Sequence, residues 1–190
     1  NAAATYGGAV SIQYALWQDG QITDTGVSGV YSKTENRLLT TDILYGIGSV
    51  SKIYTTVAVM QLVEDRKVSL DAPVTRYLPD FKMADSRYKN ITVRMLLNHS
   101  SGIMGTSLSG AVLFDDPDPS ATDNLLESLS TQRLVADPGA YSVYCNDGFT
   151  LAELIVEAVS GMDFMDYVDR EILDPHGLES TFAPGDDFDT

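Results

Sequence analysis

Cysteine is nearly absent. A single thiol, Cys145, stands in 190 residues, so no intrachain disulfide can form. Histidine is almost as scarce: His99 and His176 stand alone, and no Cys/His cluster has the spacing of a metal site. No apolar run approaches the roughly 18 residues that a membrane-spanning helix needs. Basic residues are few, 12 against 27 acidic, for a net charge of −15. The first hundred residues hold 10 basic and 9 acidic side chains; the remaining ninety hold 2 and 18. Such an acidic surface argues against nucleic acid and against anionic membrane as partners. The plainer consequence is solubility. What remains is globular: 44% hydrophobic and 21% charged, enough to bury a core in one domain or a domain and a half.

The most informative stretch is Tyr45-Gly46-Ile47-Gly48-Ser49-Val50-Ser51-Lys52, followed by the apolar run Ile53 to Val63. It reads as a strand end, a glycine turn and a helix. A helix apolar on most sides is a buried one. Ser49 and Lys52 lie three apart, so a helix puts the hydroxyl and the ammonium on one face. Backbone N–H groups at the helix start favour developing negative charge. A nucleophile needs a nearby base and a positive field for its oxyanion. The bland alternative makes Ser49 an N-cap and Lys52 a surface residue. Against it, a lysine at a helix start opposes the macrodipole, so some other group should hold it there. The same Ser-x-x-Lys spacing recurs at Ser86–Lys89, in a polar stretch with no long apolar helix directly behind it.

Along the chain, residues 8–16 and 25–32 read as a hairpin around Gln18-Asp19-Gly20-Gln21. Residues 33–42 are polar and turn-like, and the helix after Ser49 should end near Asp65-Arg66-Lys67. Pro73 and Pro79 mark a non-helical wrap. Thr92 is a helix N-cap, and His99-Ser100-Ser101-Gly102 is a turn. Residues 103–123 form a long loop centred on Asp115–Pro119. Helices are expected over 124–134, over 150–159 with Gly161 as C-cap, and over 164–173.

Tyr141 to Gly148 follow the Pro138-Gly139 turn. In an extended segment Tyr144 and Asn146, two apart, share a face. A phenol beside an ammonium is more acidic than usual. It can then take a serine proton and return it to a leaving group. Asn146 can donate to a substrate amide. The alternative is a core tyrosine and a loop asparagine, and Tyr88–Asn90 matches the same pattern.

Gly48–Lys52, Leu70–Val74, Leu96–Gly102, Tyr144–Asn146 and Asp174–Leu178 occur in that order. Together, from about Ser11 to Phe182, they resemble the serine β-lactamase-related family: class C β-lactamases, penicillin-binding proteins, D-alanyl-D-alanine peptidases and esterases. Ser-x-x-Lys is a signature of the wider penicillin-recognising group.

The resemblance implies an α+β, β-lactamase/transpeptidase-like fold. An antiparallel sheet is flanked by helices, with an inserted, mainly helical subdomain. Residues 1–47 would give sheet strands, 48–66 the central buried helix, 67–182 the helical subdomain and 183–190 an acidic tail. By the same resemblance Ser49 is the acylated nucleophile, Lys52 activates it, Tyr144 is the general base and later acid, and Asn146 holds substrate. No cofactor or metal is implied. The substrate would be a β-lactam, a D-Ala-D-Ala wall peptide or an ester. The setting would be extracellular or the envelope of a bacterium, no signal peptide being visible.

Two departures stand out. The family's third motif, Lys or His, a residue, then Gly, does not occur. The C-terminal strands that would carry it are missing, so the sequence reads as an N-terminal fragment. Losing one oxyanion donor costs about 10²–10³ in rate, and these residues alone are expected to be poorly active. Unpaired sheet edges would favour association. A non-catalytic module binding wall peptide or β-lactam is the rival reading. Cys145 occupies a position where the family more often has Ala or Ser. A buried, inert thiol is expected, with a second nucleophile as the alternative.

Overall fold

The computed structural model describes residues 8–35, 37–106 and 121–182. The centre of the long acidic loop and the tail at 183–190 lie outside the described residues. The chain divides into two units, residues 1–47 and 48–190, and its class is α+β.

The first unit is built on an antiparallel hairpin, β1 (Ser11–Gln18) and β2 (Gln21–Gly29). Its ladder extends closer to the turn than residues 16 and 25, where the sequence pattern ends the strands. The reason is the turn itself. Asp19 and Gly20 have φ of 51° and 82°, and two central residues with positive φ match the right-handed twist of paired strands. The pairing slips between Leu16 and Trp17: Leu16 faces Asp24 while Trp17 faces Ile22. Thr23 is the extra residue of this bulge, which shifts the phase of the alternation and explains why it is partial. Residues 43–47 run as irregular chain instead of the expected strand end.

The second unit starts with a 3-10 turn, Gly48–Ser51, that runs into helix α1 (Lys52–Glu64). Arg66, at φ 61°, turns the chain away two residues later. Thr55, Ala58, Val59 and Leu62 of α1 are buried. The opposite stripe is not: Ile53 is 61% exposed, Met60 44% and Val57 37%. The helix is apolar all round, as its sequence requires, yet the described structure covers only one side.

The wrap after α1 holds one 3-10 turn, Val74–Arg76. It is tied to the next helix by a Pro73–Thr92 bridge and by Arg94, whose Nε and Nη2 reach Asp71 at 2.8 and 3.0 Å. That helix, α2 (Val93–Leu97), opens on Thr92, whose hydroxyl accepts from Met95 N at 3.4 Å. The competing Ser86–Lys89 and Tyr88–Asn90 patterns lie in a 3-10 turn, Ser86–Asn90, committed to structure. There Tyr88 packs edge-on against Phe81 at 5.4 Å, and Arg87 bonds Asp85 and Asp137 at 2.6 Å each.

Helix α3 (Ala121–Ser130) precedes the longest element, α4 (Asn146–Ser160). Helix α4 begins four residues before the expected 150, because Cys145 caps it: the thiol sulfur accepts from Gly148 N at 3.3 Å. It ends at Gly161, φ 74°. Helix α5 (Phe164–Val168) continues as a π turn, Asp169–Leu173, and a 3-10 turn, Asp174–His176. The span 164–173, read as one helix, is thus an α-helix and a π turn in series, with the 3-10 turn beyond it. Leu151, Ala152, Ile155 and Val156 of α4 join the buried α1 residues in one core with Phe81, Ile91, Leu96 and Ile103.

Helices α1 and α4 pack against each other, and the contact contains one polar pair. Thr55 Oγ1 donates to Glu153 Oε1 at 3.3 Å. Burial first, then the neighbouring Glu157, pushes the Glu153 carboxyl up to about 7, partly offset by Thr55 and Lys52. A raised carboxyl costs stability as pH rises from the unfolded value of 4.5 through 7. Two to three pH units correspond to about 3 kcal/mol. Glu153→Gln should therefore melt close to wild type at pH 5 and roughly 5–10 °C above it at pH 8. An equal displacement at both pH values, by calorimetry, would show that the carboxyl does not titrate in the fold.

Candidate active site

Four side chains proposed from the sequence meet at one place. Ser49 comes from the 3-10 turn before α1 and Lys52 from the first residue of α1. Tyr144 precedes α4, and Asn146 opens it. The Tyr144 hydroxyl lies 2.5 Å from Ser49 Oγ. Lys52 Nζ donates to Ser49 Oγ at 3.3 Å and to Asn146 Oδ1 at 2.7 Å. Asn146 Nδ2 donates in turn to Thr106 Oγ1 at 2.8 Å.

Local geometry explains the convergence. Ser49 and Lys52 are one helical turn apart, so both reach the same side. Tyr144 and Asn146 do not share a face of an extended strand, as their spacing suggests. Cys145 is extended, with φ −141° and ψ 111°, and Asn146 is already helical. Across the change of backbone direction at Cys145 both side chains still reach the Lys52 ammonium.

The lysine that works against its helix dipole is held by acceptors and rings. Besides Ser49 and Asn146, its Nζ lies 4.9 Å from the Tyr144 ring centroid and 5.4 Å from that of Phe149. Both distances fall within cation–π range. Lys52, and after it Ser49, draws the Tyr144 phenol below its ordinary 10, because the cation favours phenolate. Tyr144 is 52% exposed, so its ring is not absorbed into packing.

Cys145 is buried. Its thiol donates to Gly105 O at 3.2 Å as it caps α4, and burial raises its pKa. A raised pKa suppresses the thiolate that a nucleophile requires. His99 belongs to a turn and to a stretch that carries the family resemblance, but neither gave it a place at the site. Its ring lies 4.6 Å from that of Tyr144 and 5.1 Å from that of Phe149. Thr106 and Phe149 gave no signal of their own, since each reaches the site through tertiary packing.

Comparison with known proteins supplies the family. A family model described as Beta-lactamase matches residues 2–189. The chain belongs to that family. It is 30% identical over 170 residues to penicillin-binding protein 4 of Amycolatopsis lactamdurans, spanning 89% of this chain and 43% of that protein. It is 30% identical over 182 residues to esterase EstB of Burkholderia gladioli, spanning 90% and 45%. The D-amino acid amidase of Ochrobactrum anthropi, solved with L-phenylalanine, superposes with a TM-score of 0.78 at 27% identity, over 91% and 46%. The chain thus spans less than half the length of each.

Among the described residues, no helix is long and apolar enough to cross a membrane. The geometry makes a prediction that needs no substrate. With ring-labelled tyrosine in nuclear magnetic resonance, Tyr144 should ionise at lower pH than an ordinary phenol. In Lys52→Met its midpoint should return toward about 10. An unmoved midpoint would mean that the ammonium does not act on the phenol.

Proposed function

We propose that this chain carries the nucleophilic half of a serine acyl-transfer hydrolase, working through an acyl-enzyme on Ser49. The observation that carries the reading is the contact of the Tyr144 hydroxyl with Ser49 Oγ beside the Lys52 ammonium. As phenolate, Tyr144 accepts the Ser49 proton while Oγ attacks the substrate carbonyl. The tetrahedral intermediate then collapses: the C–N or C–O bond breaks, and Tyr144–OH protonates the leaving group. Water repeats the sequence on the acyl-enzyme, with Tyr144 again as base. Lys52 stabilises the phenolate and the developing charge. Asn146, which bonds Lys52 and Thr106, holds the substrate amide; those contacts support the role.

The substrate class is a β-lactam, a D-Ala-D-Ala wall peptide or an ester. The names of the relatives, a penicillin-binding protein, an esterase and an amidase, support acyl chemistry of that range. The same reading puts the protein outside the bacterial cytoplasm, where wall peptide is met. A module that only binds has no need of a phenol at hydrogen-bond distance from a hydroxyl next to an ammonium.

Mass spectrometry tests this directly. Ser49 should take up a fluorophosphonate or labelled penicillin as a single covalent adduct, and Ser49→Ala should take up none. Tyr144→Phe should slow labelling by about 10²–10⁴, the usual worth of a positioned base. A wild-type protein from the full gene that forms no adduct, yet binds wall peptide, would replace the hydrolase with a binding module.

A further inference from the structure

The turn Asn98–Gly102 is one of the stretches that carries the family resemblance, and the mechanism above gives it no task. The structure shows what it touches. His99 has φ 60°, a left-handed conformation uncommon for a residue with a side chain. This bend aims both its carbonyl and its ring at the segment that carries Tyr144. Val143 N donates to His99 O at 2.8 Å, and Cys145 N donates to His99 Nδ1 at 3.1 Å. Those are the N–H groups immediately before and after Tyr144. The imidazole lies 4.6 Å from the phenol ring, with 38° between the planes. Phe149 of α4 lies 5.1 Å from the same ring.

The neighbouring contacts make the turn a template. Ser142 Oγ donates to Asn98 O at 3.0 Å, Gly139 N to Ser100 O at 2.7 Å, and Val135 N to Gly102 O at 2.9 Å. Gly102 allows the approach: its φ is 79°, and a Cβ there would sit 2.5 Å from Ala136 O.

We propose that His99 is a positioning residue for Tyr144, gripping the backbone on both sides of the phenol, and that it holds this grip only as the neutral imidazole with its proton on Nε2. The role rests on the reading of Tyr144 as the base that activates Ser49. Protonation would place a second donor on Nδ1, facing the Cys145 N–H at 3.1 Å, and the contact would turn from attraction to repulsion. It would also set an imidazolium beside the same phenol as Lys52. The charged group acting on the ring from α1 is Lys52; the titratable groups of the opposing segment are Tyr144 and Cys145; α4 presents Phe149. Burial, followed by the Lys52 charge, holds the imidazole pKa below its usual 6.5. The neutral form therefore persists through neutral pH. Acid releases the grip.

Two readouts test this on the same 190-residue chain. In nuclear magnetic resonance of labelled histidine, the two histidines are told apart because His99→Asn removes one signal. His99 should be the Nε2–H tautomer and should titrate below the usual histidine range. The Tyr144 ring and Cys145 amide signals should move with the same midpoint. A His99 titration that leaves both signals still overturns the proposal.

The second readout is the rate of covalent fluorophosphonate labelling at Ser49 against pH. Wild type should lose rate in acid with the His99 midpoint. His99→Asn, whose side-chain oxygen can still accept from Cys145 N and whose backbone tolerates positive φ, should lose that limb. Its rate at pH 8 should stay within about threefold of wild type. His99→Ala should be slower at pH 8 by roughly tenfold to a hundredfold, as expected for a displaced reacting group. Superimposable acid limbs in wild type and His99→Asn would overturn the proposal. Absence of labelling at every pH, in this chain and in protein from the full gene alike, would sink the acyl-transfer reading instead, and the resonance titration would still decide whether His99 holds Tyr144. That titration also decides the matter should His99→Ala fail to fold.

Discussion

The hydrogen bond from Lys52 to Asn146, 2.7 Å long, ties the first turn of one helix to the first turn of another. Everything chemical in the molecule hangs from that junction. Lys52 carries Ser49 with it, one helical turn away. Asn146 carries Tyr144, two residues back across the bend at Cys145. The helices behind them are fixed by apolar burial, so the four polar groups meet without a disulfide to hold them. A charge-assisted hydrogen bond of this kind is stronger than a neutral one, and the ammonium would otherwise sit against the positive end of its own helix.

Around that junction the structure spends polar contacts on position. Thr106 holds the amide of Asn146, the Cys145 thiol bridges Gly105 and the start of α4, and His99 holds the backbone on either side of Tyr144. Deeper in the same helix–helix contact, Thr55 and Glu153 form a second polar pair. One turn below Lys52 and two turns below Asn146, it makes the packing of α1 on α4 responsive to pH. Candidate site and stability thus share one interface, and a change in the packing of either helix reaches the cluster of Ser49, Lys52, Tyr144 and Asn146 directly.

Much of this was legible in the residues. The spacing of Ser49 and Lys52 sufficed, because helical neighbours are a local matter, and the apolar run after them announced a core helix. The order of five short motifs made the family readable where no single motif could. The decoy at Ser86–Lys89 was separable by its polar context. Other features were not readable, for physical reasons. The start of α4 at Asn146 depends on a thiol acting as cap, which composition does not advertise. The twist-matched turn at Asp19-Gly20 lengthened a ladder that alternation, broken by a bulge at Thr23, had shortened. The exposed stripe Ile53, Val57 and Met60 departs from the buried helix that the apolar run suggests. Periodicity can demand a covering element but cannot supply one. His99, Thr106, Phe149 and the Thr55–Glu153 pair are set by tertiary approach of distant segments.

The candidate site depends on the coupling of Lys52 to Asn146. A double-mutant cycle on unfolding free energy, with Lys52→Met, Asn146→Ala and the double variant, measures it directly. Hydrogen bonds to charged groups contribute about 1.5–3 kcal/mol, and partial exposure of Lys52 reduces this, so a coupling of about 1 kcal/mol is predicted. Additivity of the two substitutions within about 0.3 kcal/mol would mean that the two helix starts are not joined through these side chains, and would contradict the account.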